Sequence, residues 1–129
     1  NRVTFHNPVP PADLPRTLND YDLGVFWIEP FNTNARLTLP NKLFDFVQAR
    51  IGMAIGPSEE MEPVVREHQL GPIAQGFDLA QCIDSLRDIT AMDLRRWKNS
   101  ADAAAHELSF EKDAEVARGI LSRMLHSHA

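Results

Sequence analysis

The stretch from Arg36 to Gly56, "RLTLPNKLFDFVQARIGMAIG", decides the fold because it joins a helical pattern to a strand. Apolar residues recur at helical spacing over Asn41–Arg50, and Met53–Ile55 then forms a short apolar run that ends at Gly56. This order indicates a helix followed by a strand of an α/β protein. Lys42 and Asp45 interrupt the apolar pattern where the helix begins, and they need a separate explanation.

Strands and helices alternate along the rest of the chain. A continuous apolar run such as Leu23–Ile28 is typical of a parallel strand covered on both faces. Residues 29–41 are predicted to form a long loop. The sequence thus predicts an α/β fold with a Rossmann-like parallel sheet of about four strands flanked by helices, and a helical carboxyl-terminal tail. The predicted strands are Val3–His6, Leu23–Ile28, Met53–Ile55 and Pro72–Ala74, and further helices are predicted after the N-cap residues Asp13, Ser58 and Ser109 and at 78–89 and 91–108.

The composition limits the class of protein. The 129 residues are 43% hydrophobic, enough for one core and not for two, so residues 1–129 are predicted to form a single domain. A net charge of −5 argues against a nucleic acid partner, because binding to the phosphate backbone needs a basic surface. The one cysteine, Cys82, allows no internal disulfide, and no signal peptide or membrane-spanning apolar run is visible, which predicts a cytoplasmic protein. The five histidines lack metal-binding spacing, and we expect neither a metal nor a cofactor.

Candidate binding residues follow the second predicted strand. In open α/β sheets, ligands lie beyond the carboxyl ends of the strands, and a helix that begins there offers backbone N–H groups to an anion. Lys42 lies in the first helical turn, where a cation opposes the helix dipole, and a bound phosphate would explain it. Arg36 suits a second phosphate, and Asp45 could accept hydrogen bonds from a ribose diol. Lys42 and Asp45 are equally consistent with a surface ion pair, which stabilises a helix by about 0.2–0.5 kcal/mol.

The segment "YDLGVFWIEPFNTNARLTLPNKLFDFVQARIGMAIGPSEEMEPVV" resembles a known family. Its blocks Tyr21–Val25, Pro40–Phe46 and Ala49–Ile55 are similar, in order, to the carboxyl-terminal, nucleotide-sugar-binding half of retaining GT-B glycosyltransferases of the group 1, family 4-like class. The flanking stretches "RVTFHNPVPPADLPRTL" and "LSFEKDAEVARGILSRML" resemble neighbouring parts of that half. The chain begins without methionine, and we interpret it as a piece of a longer enzyme.

The resemblance implies contacts to each part of a nucleotide diphosphate sugar, while no catalytic residue is assigned. The implied contacts are Lys42, Arg36 and Asn41 for the donor phosphates, Asp45 for the ribose, the backbone of Pro8 and Val9 for the base, and Asn34, Thr38 and Leu39 for the sugar.

The sequence departs from the family pattern in three ways. Asp45 stands where relatives have a longer glutamate, and Leu37 stands where many relatives carry a glutamate near the transferred sugar. The chain also lacks the first two βα units and the acceptor-binding half. In relatives those two strands lie between the strand equivalent to Val3–Phe5 and the rest of the sheet. We therefore expect an open sheet edge that leads to a homodimer, strand exchange or rearrangement.

The implied function is the donor-binding part of a hexosyltransferase-type enzyme in polysaccharide or glycoconjugate biosynthesis. Its acceptor, a glycan or a lipid-linked glycan, would be bound by the missing amino-terminal half, so the fragment alone is expected to be inactive. The full-length protein would be cytoplasmic or peripheral at the inner face of the membrane. Two alternatives remain: a non-catalytic α/β interaction or regulatory module, and a response-regulator-like or flavodoxin-like domain.

Overall fold

A computed structural model describes residues 2–126 and gives a mixed α/β fold. A short 3₁₀ turn at Pro11–Asp13 precedes the first helix. The strands are β1 (Leu23–Phe26) and β2 (Gly52–Ile55), and the helices are α1 (Leu14–Leu18), α2 (Thr33–Arg36), α3 (Asn41–Gln48), α4 (Met61–His68), α5 (Leu79–Asp84), α6 (Ala91–Ala104) and α7 (Phe110–His126).

The sheet has two parallel strands. Leu23 pairs with Gly52 and Phe26 with Ile55, so β1, α3 and β2 form a βαβ unit. The predicted strand at Pro72–Ala74 contributes only one parallel bridge, between Ile55 and Ile73. Pro72 accepts a hydrogen bond from Ile55 through its carbonyl oxygen, but it has no N–H to donate in return, which keeps this segment from becoming a longer strand.

The predicted strand at Val3–His6 is wrong, because this segment is irregular. Val3 and Phe5 are 64% and 94% exposed, and no strand in the described part of the chain pairs with the outer edge of β1. An open groove of about 1280 Å³ is lined by residues of this segment and by Leu23 and Val25. The four-stranded sheet expected from the sequence is therefore a two-stranded sheet with one added bridge.

The core forms where α3 and α6 pack with β2. Leu43 and Val47 are the buried face of α3, and Met53 and Ile55 of β2 lie in the same cluster. Burying a side chain of this size contributes about 1.5–3 kcal/mol. From α6, Ala101 enters the cluster, and the small side chain allows the helix to approach closely. The core thus anchors the helix whose first turn carries Asn41 and Lys42.

Helix boundaries differ from the sequence prediction in several places. The predicted loop at residues 29–41 contains α2, which begins where Asn32 Oδ1 accepts a hydrogen bond from Ala35 N at 2.7 Å. The helix predicted at 78–89 is regular only over α5, and the one predicted at 91–108 ends at Ala104. Asp13 makes no side-chain cap, while Ser58 Oγ accepts from Met61 N at 3.4 Å.

Candidate functional site

The first turn of α3 lies beyond the carboxyl end of β1, as the sequence predicts. Pro40 is the N-cap and makes no side-chain cap, although its carbonyl oxygen accepts a hydrogen bond from Leu43 N at 3.1 Å. Leu43 is fully buried, and this fixes the helix against the core. Asn41 and Lys42 precede it and are exposed to solvent. The turn is therefore rigid, while its polar side chains are accessible.

Lys42 and Asp45 lie side by side on α3. Lys42 Nζ is 3.7 Å from Asp45 Oδ2, and the two side chains are 50% and 27% exposed. An ion pair this exposed is worth about 0–1 kcal/mol, so an incoming anion can displace the carboxylate from Lys42 at little cost. The geometry fits a phosphate-binding lysine beside a ribose-binding aspartate, and it fits the surface pair equally well.

Arg36, at the end of α2, is also paired with a carboxylate. Its Nε lies 3.7 Å from Glu59 Oε2, in the segment that follows β2. The hydroxyl of Thr38 donates a hydrogen bond to the carbonyl oxygen of Asn34 at 2.6 Å, and this fixes the chain at the end of α2. Asn34, Arg36 and Thr38 are all exposed, so the segment after β1 presents two hydrogen-bonding side chains and a cation to solvent.

The other predicted contacts lie elsewhere. Leu39 is half-buried and packs against the hydrophobic core, so its side chain is committed to the fold. Pro8 is exposed, and Val9 is half-buried in the groove beside β1. The structure thus places Val9 with the amino-terminal segment, whereas Arg36 and Lys42 follow β1 along the chain. Nothing in the described residues links Pro8 or Val9 by a hydrogen bond to α2 or α3.

A cavity of about 270 Å³ lies at the carboxyl ends of the two strands, and no sequence pattern predicts it. Thr38 is the one predicted site residue that lines it. Most of its wall is apolar and includes three phenylalanines and two prolines. Phe26 ends β1, whereas Phe31 and Phe77 lie outside the helices and strands. The lining residues are Phe26, Ile28, Glu29, Pro30, Phe31, Ala35, Thr38, Pro40, Gly56, Ser58, Met61 and Phe77.

The cavity and the Arg36–Glu59 ion pair are neighbours along the chain. Ala35 and Ser58 line the cavity, and the residues that follow them, Arg36 and Glu59, form the ion pair described above. A ligand that enters here therefore meets an apolar interior and a charged border. Such a combination suits a molecule with a flat or apolar part and an anionic part.

Comparison with known proteins finds no matching family, no matching curated protein and no matching solved structure. Within residues 2–126, no three His, Cys, Asp or Glu side chains are grouped so that they could hold a metal ion. None of the helices described combines the length and the hydrophobicity needed to cross a membrane.

Proposed function

We propose that the chain is the nucleotide-sugar donor-binding part of a glycosyltransferase that acts in polysaccharide or glycoconjugate biosynthesis. The observation that carries this proposal is the position of Lys42, an exposed cation in the first turn of α3, beyond the carboxyl end of a parallel strand. A cation there opposes the positive end of the helix dipole. A bound phosphate would interact favourably with both the lysine and the helix terminus.

The proposed chemistry is electrostatic. Lys42, Arg36 and the start of α3 at Asn41 would bind the donor phosphates and stabilise the charge that develops on the departing diphosphate. Asp45 would accept hydrogen bonds from the ribose hydroxyls, and Asn34 and Thr38 would lie beside the sugar. Each cation would have to leave the carboxylate that it contacts at 3.7 Å.

The remaining parts of the proposal come from the resemblance alone. The full domain would have a Rossmann-like sheet of about four strands, and the backbone of Pro8 and Val9 would face the base. An amino-terminal half would bind the glycan or lipid-linked acceptor. This chain alone should therefore bind donor weakly and transfer no sugar.

A second candidate, a non-catalytic interaction or regulatory module, is favoured by a specific observation. Both proposed phosphate-binding cations already contact carboxylates of the same chain, Glu59 and Asp45. In addition, Leu37 occupies the position of the family glutamate and is exposed. A domain that had kept the fold and lost the chemistry would look the same at these positions.

Calorimetric titration with UDP and with GDP tests the proposal. The chain offers a matched control, since Lys112 Nζ lies 3.6 Å from Glu115 Oε2 in the first turns of α7, an i,i+3 pair like that of Lys42. We expect one nucleotide to bind, Lys42→Ala to weaken it at least tenfold, and Lys112→Ala to leave it unchanged.

Each result decides between the two candidates. Equal loss in both variants would mean a non-specific effect of charge and would count against a site at α3. Absence of binding to either nucleotide would contradict donor binding by this chain and favour the non-catalytic module.

A further inference from the structure

The cavity at the carboxyl ends of the strands has one ionisable residue in its lining. This residue is Glu29, three positions after the end of β1. Its carboxylate makes no ion pair and no hydrogen bond with any residue between 2 and 126. The two hydroxyl groups of the lining are already engaged, because Thr38 donates to Asn34 O at 2.6 Å and Ser58 accepts from Met61 N at 3.4 Å. Glu29 is therefore the polar side chain that the cavity offers to a ligand.

Two phenylalanines of the cavity hold the same position relative to a helix. Phe31 and Phe77 each directly precede the N-cap residue, of α2 and of α5 respectively. An apolar side chain at this position often packs against the residue five positions later. For Phe77 that residue is the buried Cys82, whereas for Phe31 it is Arg36. Phe31 is accordingly 83% exposed, and a ring bound in the cavity would cover it.

The ring of Phe77, by contrast, is fixed by the fold. It lies so close to Gly56 at the end of β2 that a Cβ on this glycine would collide with it. The cavity thus combines a rigid aromatic wall with an aromatic side chain in solvent, and such side chains stack on nucleic acid bases. A cavity of about 150 Å³ holds a benzene ring. The volume of about 270 Å³ found here is large enough for the two rings of a purine.

We infer that this cavity binds guanine, so that the donor is a guanosine diphosphate sugar; the inference rests on the proposed function and deepens it. An ionised carboxylate has two oxygens that only accept hydrogen bonds. Guanine matches both with adjacent donors, the ring N1–H and the exocyclic amino group. Uracil places a carbonyl oxygen on each side of its single N–H, and adenine and cytosine place an acceptor nitrogen beside their amino group. Guanine is therefore the base that Glu29 selects.

The inference places the base and the phosphates along one stretch of chain. Pro40 lines the cavity and is the N-cap of α3, and Asn41 and Lys42 follow it. A base in the cavity would thus lie beside the proposed phosphate contacts. This assignment replaces the contact of the base with the backbone of Pro8 and Val9, which belong to the amino-terminal segment.

Titration calorimetry of the whole chain with GDP and with UDP tests the inference, with circular dichroism to verify folding. The native chain should bind GDP at least about tenfold more tightly than UDP, as expected for a bidentate contact to a base. Glu29→Gln replaces one acceptor by an amino donor, which suits the N–H and carbonyl oxygen of uracil. It should weaken the binding of GDP at least about tenfold and strengthen that of UDP.

Two further variants separate the contributions. Glu67→Gln, at an exposed carboxylate of α4 outside the cavity, removes the same charge and should leave both dissociation constants unchanged. Phe31→Ala should weaken both nucleotides by about fivefold or more, because stacking depends little on the identity of the base.

The outcomes distinguish this inference from the proposed function. Tighter binding of UDP that is lost in Lys42→Ala would keep the donor site at α3 and overturn the assignment of guanine. A preference for GDP that Glu29→Gln leaves unchanged would also overturn it, because the base would then be recognised by other residues. Binding of neither nucleotide would overturn both the inference and the proposed function.

Discussion

Arg36 and Glu59 form an ion pair that joins the end of α2 to the segment after β2, with 3.7 Å between Arg36 Nε and Glu59 Oε2. Their chain neighbours Ala35 and Ser58 line the cavity at the carboxyl ends of the strands. Both side chains are more than half exposed, so solvent screens the attraction between them. Glu59 consequently competes with any anionic ligand for Arg36 without contributing much to stability.

Removing this competition should strengthen nucleotide binding. Glu59→Gln keeps the size of the side chain and releases Arg36, so the affinity for the nucleotide that binds should rise by up to about fivefold, the equivalent of an exposed ion pair. Titration calorimetry measures the change. The control is Glu62→Gln, which releases Arg66 on α4 instead, because Arg66 Nη2 lies 2.7 Å from Glu62 Oε1. Weaker binding in Glu59→Gln would argue that Arg36 takes no part in the site.

Lys42 and Leu43, which are adjacent at the start of α3, should contribute very differently to the free energy of unfolding. Lys42→Ala removes half of an exposed pair and should change the free energy of unfolding by less than about 0.5 kcal/mol. Leu43→Ala empties a fully buried position and should cost about 2–5 kcal/mol. Denaturant unfolding monitored by tryptophan fluorescence gives both values. A large loss of stability in Lys42→Ala would mean that its effect on binding reflects unfolding rather than a lost contact.

Two glycines should respond to alanine in opposite directions. A Cβ at Gly71 would collide with the backbone carbonyl oxygen of Met53 in β2, and backbone cannot move aside as a side chain can. Gly71→Ala should therefore destabilise the fold by at least about 1–3 kcal/mol. Gly119 lies within α7 with open space around it, and Gly119→Ala should stabilise that helix by about 0.5–1 kcal/mol. The measurement is thermal unfolding of the two variants. If both substitutions lowered the midpoint temperature of unfolding, the prediction for Gly119 would be wrong.

The start of α6 should make stability depend on pH. The backbone N–H and the hydroxyl of Thr90 donate to the Asp93 carboxylate at 2.9 and 2.8 Å and, with help from the Arg96 charge, hold the pKa of Asp93 below its usual value. A lowered pKa means that the ionised form stabilises the fold above the unfolded pKa of about 3.9 and that this contribution is lost as the pH falls through the folded value.

Asp93→Asn should accordingly be less stable than the native chain at pH 7, and the difference should shrink as the pH falls below about 3.9. Urea unfolding at a series of pH values measures it. Thr90→Ala removes the hydroxyl donor and should reduce the pH dependence in the same direction. A difference that stays constant from pH 7 to pH 3 would exclude the proposed role of the carboxylate charge.

The βαβ unit could be predicted from the sequence because periodicity and burial agree there. The apolar patterns of α3 and β2 correspond to buried faces, whereas β1 is less covered than its apolar run predicts, since Val25 is 46% exposed. The strand predicted at Val3–His6 failed for a non-local reason. Alternating apolar residues favour an extended strand only if another strand lies beside them, and no pattern within these four residues reports whether that neighbour exists.

The candidate site was predictable in its charges and not in its shape. Lys42 is distinctive because a cation in the first helical turn opposes the helix dipole, and Arg36 and Asp45 carry the hydrogen-bonding groups that suit a phosphate and a ribose. The cavity depends on Phe31 and Phe77, which lie far apart in the chain in segments without periodicity. Their convergence follows from the packing of the strands and from the course of the loops, and single-sequence patterns contain neither. The partner of Arg36 was equally hidden, since Glu59 lies 23 positions after it, whereas the pairing of Lys42 with Asp45 was one of the two interpretations of the sequence.

One amide group connects the βαβ unit to the junction of α6 and α7. Gln48, the last residue of α3, donates through Nε2 to the carbonyl oxygens of Ala105 at 2.7 Å and Leu108 at 3.0 Å, where α6 ends and the chain turns toward α7. These side-chain protons should exchange slowly with solvent as long as the tail stays attached. In a nuclear magnetic resonance spectrum, Gln48 therefore serves as a single-residue reporter of local opening, and it distinguishes detachment of the tail from global unfolding of the βαβ core.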